Sequence, residues 1–364
     1  MLKSGPVEVT LRKFQTASCL MEDCLAGHTL KAHAALYSAA GFELRAGADS
    51  PDLLQETQTL LGSYCAETLP STAWQLTVQR EQSGSDTNRP AGLQAIWSGT
   101  VPPNLAAVNY VGPSRRRLEL VDRGRLDLDL RTRKAAITLA PHVSARLAGY
   151  FLMPLLCEGL IQAGHRPIHA ACLAVSCNGQ SRSALIVAQS GTGKSTTALA
   201  LANAGWQLMG DDLSLLSQDE GRLTAWGFPR VCHVRRPTLA LLPWLNELPL
   251  VPTSLAGTFN LPLAALGGRA YGARPQPLEP ALIIVLDRPN PAGHQCERLD
   301  RAAALVSLAE ENVQPIEGCD DANAQTAFAR FADLVQQTPA VRLSVGPRLE
   351  TLADFLRDQT GVGS

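Results

Sequence analysis

The sequence predicts an α/β fold preceded by an N-terminal α+β module. Three stretches predict it. Ala184 to Ser195 begins with the apolar run Leu185-Ile186-Val187, passes through a glycine turn and opens a helix-forming run from Thr196 to Ala202. Trp206 to Met209 reads as a short strand ending in Gly210-Asp211-Asp212. Ala281 to Leu286 is a third apolar run, closed by Asp287. Short apolar runs alternating with helical stretches indicate a sheet covered by helices.

Composition narrows the function classes. At 364 residues the chain is long enough for two domains, which we place at 1–140 and 141–364. A hydrophobic content of 45% supports a real core, and a net charge of -1 argues against nucleic acid or an acidic membrane as the main partner. Arg115-Arg116-Arg117 is followed closely by acidic residues, so it reads as a solvated strand face. The 9 cysteines have no framework spacing, and Cys19 and Cys24 lack a second pair to complete a zinc site. Reduced thiols and a cytoplasmic protein are expected. The opening Met-Leu-Lys-Ser-Gly-Pro carries no apolar signal segment. Ala135 to Leu156 comes nearest to a membrane span but is interrupted by Pro141, His142, Arg146 and Pro154.

Taken in order, Glu22 to Ala40 is helix-compatible, and Asp52 to Leu61 is a helix introduced by Ser50-Pro51. Trp74, Leu76 and Val78 alternate with polar residues as a half-buried strand does. Ser83 to Gly92 is a polar loop. Leu118 and Leu120, then Leu126, Leu128 and Leu130, alternate around Asp122-Arg123-Gly124, a hairpin with Gly124 in its turn. Ala135 to Leu139 adds a strand. Val143 to Ala163 is a helix ended by Gly164. Arg166 to Val175 is a strand containing His169, and Asn178-Gly179 turns it into the strand Ala184 to Val187. Gly205 ends the following helix. Leu213 to Val234 reads as short strands and turns, and Pro237 to Pro262 as irregular structure. Ala302 to Glu310 and Asn323 to Gln337 are helices, Val341 to Val345 is a closing strand, and Leu349 to Leu356 a last helix.

The chemistry concentrates after Val187. Ala188-Gln189-Ser190-Gly191-Thr192-Gly193-Lys194-Ser195, set between strand and helix, has the spacing of a P-loop, with Ala188 where the first glycine usually stands. Glycines let backbone N–H groups point inward at phosphates, and the helix start adds a partial positive charge. The set Ser190, Gly191, Thr192, Gly193, Lys194, Ser195 and Thr196 is therefore the expected nucleotide-binding group. Lys194 would reach the outer phosphates and Ser195 would hold Mg²⁺. The bland alternative is a glycine turn in an ordinary α/β fold.

Two adjacent aspartates at a strand's carboxyl end can divide between holding metal and taking a proton. A helix cap is the structural alternative. Asp287 is a rival metal-binding acid. Gly267 to Arg274 is either a loop closing over phosphates, with Arg269 and Arg274 as contacts, or a plain surface loop.

His169, the loop from Ala188 to Ser195 and Gly210-Asp211-Asp212 together resemble the HPr kinase/phosphorylase superfamily, over about residues 165 to 290. The resemblance implies a P-loop, HPr-kinase-like catalytic domain using ATP and Mg²⁺. It implies Asp211 as general base toward a serine hydroxyl, His169 orienting it, Lys194 on phosphate, and Ser195 with Asp212 at the metal. The Glu-x-Arg-Gly-x-Gly signature of true HPr kinases is absent, Trp226-Gly-Phe-Pro-Arg230 standing in its region. The similarity is therefore to the related kinases, including those acting on lasso peptides and on free serine. A peptide or protein carrying a serine is the expected acceptor, with a small hydroxyl substrate or a P-loop ATPase as alternatives. Acceptor recognition would fall to residues 1–140. The resemblance also raises a homo-oligomer, since relatives form rings.

Overall fold

In the computed structural model, which describes residues 33–81, 92–101, 105–219, 221–228, 230–253, 257–272, 276–312 and 321–363, the first segment is strand β1 (His33–Ala39). The sequence suggests a helix there, from Glu22 to Ala40; its first part lies outside the described residues. The strand wins because Ala40 and Gly41, at φ +55° and +73°, form a tight turn that pairs β1 with β2 (Phe42–Ala48). Tertiary pairing overrides the local preference of an alanine-rich run.

Helix α1 (Pro51–Leu61) then crosses to β3 (Trp74–Arg80), which pairs parallel to β2. A parallel return needs such a crossover. The meander β4 (Gln94–Val101), β5 (Leu105–Val111), β6 (Arg115–Leu120), β7 (Gly124–Asp129) and β8 (Lys134–Leu139) completes an eight-stranded sheet ordered β1-β2-β3-β8-β7-β6-β5-β4. In the β6–β7 hairpin Gly124 pairs with Leu120, so it begins β7 instead of occupying the turn, and Asp122 takes the positive φ of +59°. The polar stretch from Ser83 lies outside the described residues up to Gly92.

Helix α2 (Ala148–Gln162) follows a short 3₁₀ turn. The chain forms two units, Met1–Gly159 and Leu160–Ser364. The division falls inside α2, after residue 140 where the sequence reading places it.

In the second unit the expected strand Arg166 to Val175 breaks in two. β9 (Arg166–Ile168) pairs with β13 (Ser214–Asp219), and β10 (Ala171–Cys177) pairs with β11 (Gln180–Val187). His169 sits at the break. Asn178 and Gly179, both at positive φ, make the predicted turn into β11.

Helix α3 (Lys194–Asn203) leads to β12 (Gln207–Gly210). β14 (Arg222–Gly227) completes a small sheet with β13 and β9. β15 (Val231–Arg235), α4 (Arg236–Leu241), β16 (Val251–Pro252) and β17 (Thr258–Pro262) follow, the strands forming a second small sheet.

β18 (Pro280–Leu286), β19 (Gln295–Leu299), α5 (Arg301–Asn312), α6 (Asp321–Gln337), β20 (Ala340–Ser344) and α7 (Leu352–Thr360) end the unit. The main sheet runs β12-β10-β11-β18-β20-β19, with β11, β18 and β20 mutually parallel. Ala184 and Ile186 of β11 join Ile284, Leu343 and the apolar residues of α3 and α7 in one buried cluster. Among the described residues no helix is long and apolar enough to cross a membrane.

Candidate functional site

β11 is fully buried from Ser183 through Val187 and delivers the chain to the loop before α3. Gly191 and Gly193 sit at φ +88° and +107°, where any side chain would be strained, and the space beside both is open. Gly193 is the N-cap of α3. The first N–H groups of a helix have no partner inside it, so the loop and helix start together present donors and a positive end to whatever lies above them. Ser190 is exposed, and the Thr192 N–H donates to the Gln189 carbonyl at 3.1 Å. The Thr196 hydroxyl pairs with that of Thr238 at 2.8 Å, on α4.

A backbone crossing places the acidic doublet. Gly210, at the end of β12, touches Gly227, at the end of β14. A Cβ added to Gly227 would lie 2.2 Å from the Gly210 nitrogen and 2.3 Å from the Met209 carbonyl carbon. Only glycines permit this approach. The Leu213 N–H then donates to the Asp211 carbonyl at 2.8 Å, closing a three-residue turn about Asp212, whose φ is +65°. This form of γ-turn is rare and strained, and strain of this kind concentrates at functional positions.

The turn sends the two carboxylates to different environments. Asp211 is 2% exposed and points inward, where the Ser195 hydroxyl donates to its Oδ2 at 2.7 Å. Its Oδ1 lies 3.7 Å from Lys194 Nζ and has no hydrogen-bond partner. Asp212, with a side chain 27% exposed, accepts from Lys194 Nζ. It has His169 Nε2 at 3.6 Å and an Arg230 guanidinium nitrogen at 3.7 Å. Burial, and then the charge of Asp212, push the Asp211 carboxyl above its ordinary range. Burial also works against ionisation of Asp212, but His169, Lys194 and Arg230 outweigh it and hold that carboxyl well below the ordinary range. The pair is thus one carboxylate that resists charge and one that keeps it.

His169 owes its position to its backbone. The His169 N–H donates to the side chain of Asn312, a buried residue at the end of α5 whose amide in turn donates to the Leu308 carbonyl at 2.9 Å. The next carbonyl, of Ala170, accepts from the buried Ser214 hydroxyl at 2.8 Å.

His169, Lys194, Ser195, Asp211 and Asp212 therefore come together as the sequence suggests, but the two aspartates differ from expectation. Asp211, expected to face an acceptor, is turned inward onto Ser195, while Asp212 takes the outer position beside His169. Arg269 is not at the loop. It stacks over Trp244 at 4.6 Å and donates to the Asn203 side chain at 3.0 Å. Asn203 ends α3, and a ten-residue helix is about 15 Å long. Arg274 lies outside the described residues. Among the described residues the arginine at the doublet is Arg230, which neither a glycine-rich context nor a basic cluster marks in the sequence. Asn312 was equally hidden, since its partner is 143 positions away. Asp287 follows β18 on the other flank of the loop, where its Oδ1 accepts the Arg288 N–H at 2.7 Å.

The unit is a mixed α/β fold that carries a glycine-rich loop and an acidic doublet at strand ends. No family model matches the chain, and no curated protein matches it either. Among solved structures the chain is similar to the Hpr(Ser) kinase/phosphatase from Coxiella burnetii, at 17% identity and a TM-score of 0.28, covering 53% of this chain and 95% of that one. What the chain can do chemically is set by its own side chains around the loop.

Proposed function

We propose that the unit Leu160–Ser364 is a P-loop kinase that transfers the γ-phosphate of ATP to a serine hydroxyl of a peptide or protein. One observation carries the reading: beside a lysine-bearing glycine loop, one of two adjacent carboxylates is buried against Ser195 and the other is partly open and paired with Lys194. Phosphoryl transfer asks for little else than positioning, charge neutralisation and a carboxylate to orient the attacking hydroxyl. The resemblance of loop and doublet to the HPr kinase/phosphorylase superfamily supports the same reading.

The residues present suit a divalent cation. Asp211 Oδ1 is buried without a hydrogen-bond partner, and the Ser195 hydroxyl is hydrogen-bonded to the same carboxylate. Ser195 and Asp211 would hold Mg²⁺, which would neutralise phosphate charge when bound. Asp212 is the carboxylate that orients the acceptor hydroxyl, and it takes the proton late in the transfer, once Lys194 and Arg230 have left it for the phosphoryl group. His169 holds Asp212 from one side. Lys194 and Arg230, both paired with Asp212, would turn to the transferring phosphoryl group.

The test is mass spectrometry of serine-containing peptides, candidate proteins and free serine after incubation with Mg·ATP. Wild type should add one phosphoryl group to one acceptor class. Lys194→Ala and Asp212→Asn should not. Equal transfer by Asp212→Asn would overturn the assignment.

A further inference from the structure

A cavity of about 250 Å³ opens at the carboxyl ends of β11 and β18, beneath α5. Thr192 of the loop, Asp287 and Arg288 after β18, and Ser307, Glu310 and Glu311 of α5 line it. Open α/β sheets take ligands at this edge. Sheet order places the cavity and the acidic doublet on opposite flanks of the loop. β12, which ends at the doublet, lies beyond β10 on one side of β11, and β18 lies on the other. A chain of phosphates in the loop therefore has two exits. With its outer end at Lys194 and the doublet, such a chain would leave its inner end on the cavity side.

The lining selects among ligands. Asp287, Glu310 and Glu311 oppose Arg288 and Arg342, so the walls carry more negative than positive charge. Arg342 is also drawn toward Glu297, 4.0 Å away. Such a lining repels a second phosphate and favours a neutral group rich in hydroxyls, because ionised carboxylates only accept hydrogen bonds. Val187 and Leu286 add an apolar wall. The volume is below the roughly 300–1,000 Å³ of sites that enclose a drug-sized ligand. Its size suits a fragment of a nucleotide and not the whole molecule.

We propose that this cavity receives the ribonucleoside half of the nucleoside triphosphate whose phosphates occupy the loop, with Glu310 and Glu311 accepting hydrogen bonds from the ribose hydroxyls. The assignment rests on the phosphate-site reading above and adds the sugar specificity of the same site.

Isothermal titration of the full chain with Mg·ATP, Mg·2′-deoxy-ATP and magnesium tripolyphosphate tests it. Wild type should prefer ATP to its deoxy analogue by about tenfold, the size of one hydrogen bond to a charged group. The double variant Glu310→Gln/Glu311→Gln should shrink that preference, while tripolyphosphate, relieved of two nearby negative charges, should bind at least as tightly as to wild type. Ser307→Trp, which fills the cavity from the α5 side, should weaken ATP by tenfold or more and again spare tripolyphosphate. If Ser307→Trp does not fold, the glutamine pair decides alone. The cavity assignment is overturned if tripolyphosphate binds wild type while ATP and deoxy-ATP bind equally and the glutamine pair changes neither. Failure of tripolyphosphate to bind wild type would remove the phosphate-site reading itself, and the cavity assignment with it.

Discussion

Replacing Asp212 by Asn should move nucleotide affinity and turnover in opposite directions. Asp212 holds Lys194, and a phosphate in the loop would have to displace it before Lys194 could turn outward. The Asp212 side chain is 27% exposed, so solvent screens the pair and its strength is near the upper end for surface ion pairs, about 1 kcal/mol. Removing that competitor should tighten Mg·ATP roughly fivefold, since 1.4 kcal/mol corresponds to a factor of ten. The same change deletes the carboxylate proposed to take the proton, which should lower turnover by about 10²–10⁴. Calorimetric titration measures the first effect without any acceptor. Phosphate release in the presence of Mg·ATP, with water as the default acceptor, measures the second. Weaker ATP binding in Asp212→Asn would refute the competition argument. Hydrolysis that survives Asp212→Asn but is lost in Asp287→Asn would move the chemistry to the other flank of the loop.

Three further outcomes follow from the geometry. Burial and Asp212 raise the folded-state carboxyl of Asp211 above its ordinary 3.8, so between those two values the folded protein binds more protons than the unfolded chain and stability falls as pH rises. Asp211→Asn should therefore raise the melting temperature of the metal-free protein near neutral pH by roughly 2–4 °C, about 1 kcal/mol for a unit of this size, while abolishing the Mg²⁺ dependence of ATP binding; an unchanged pH profile of melting would contradict this. Asn312→Ala removes the acceptor of the His169 N–H and should cut turnover about tenfold with the Kd for ATP unchanged, a split that titration and rate measurements read separately. Gly227→Ala forces a Cβ to 2.2 Å from the Gly210 backbone; calorimetry should show a loss of about 2 kcal/mol, and a melting temperature equal to wild type would show that the strands can part at no cost.

Elements whose cause is local were legible in the sequence. Leu185 to Val187 followed by glycines and a helix-forming run specify strand, loop and helix from their own residues, and Asn178-Gly179 specifies its turn because both positions need positive φ. What escaped depends on distant partners. The break at His169 is held by Asn312 and Ser214, far along the chain, so Arg166 to Val175 looks like one strand. β1 exists through its pairing with β2, which outweighs an alanine-rich composition. β19 has a weak apolar pattern and is supported by its antiparallel pairing with β20. The presence of two aspartates at the site was readable; which of them turns inward was not, because that depends on the backbone turn at Asp212. Arg269 lay in a glycine-rich stretch that suggested a phosphate contact, yet Trp244 and Asn203 hold it elsewhere.

The contact between Gly210 and Gly227 has a consequence for how such a protein can change over time. Because main chain meets main chain just ahead of the acidic residues, no neighbouring side chain can be enlarged or trimmed to slide them. Their reach is a constant of the scaffold. On the proposed reaction, diversification toward new acceptors would have to come from the surrounding surface, leaving the two carboxylates where the two glycines put them.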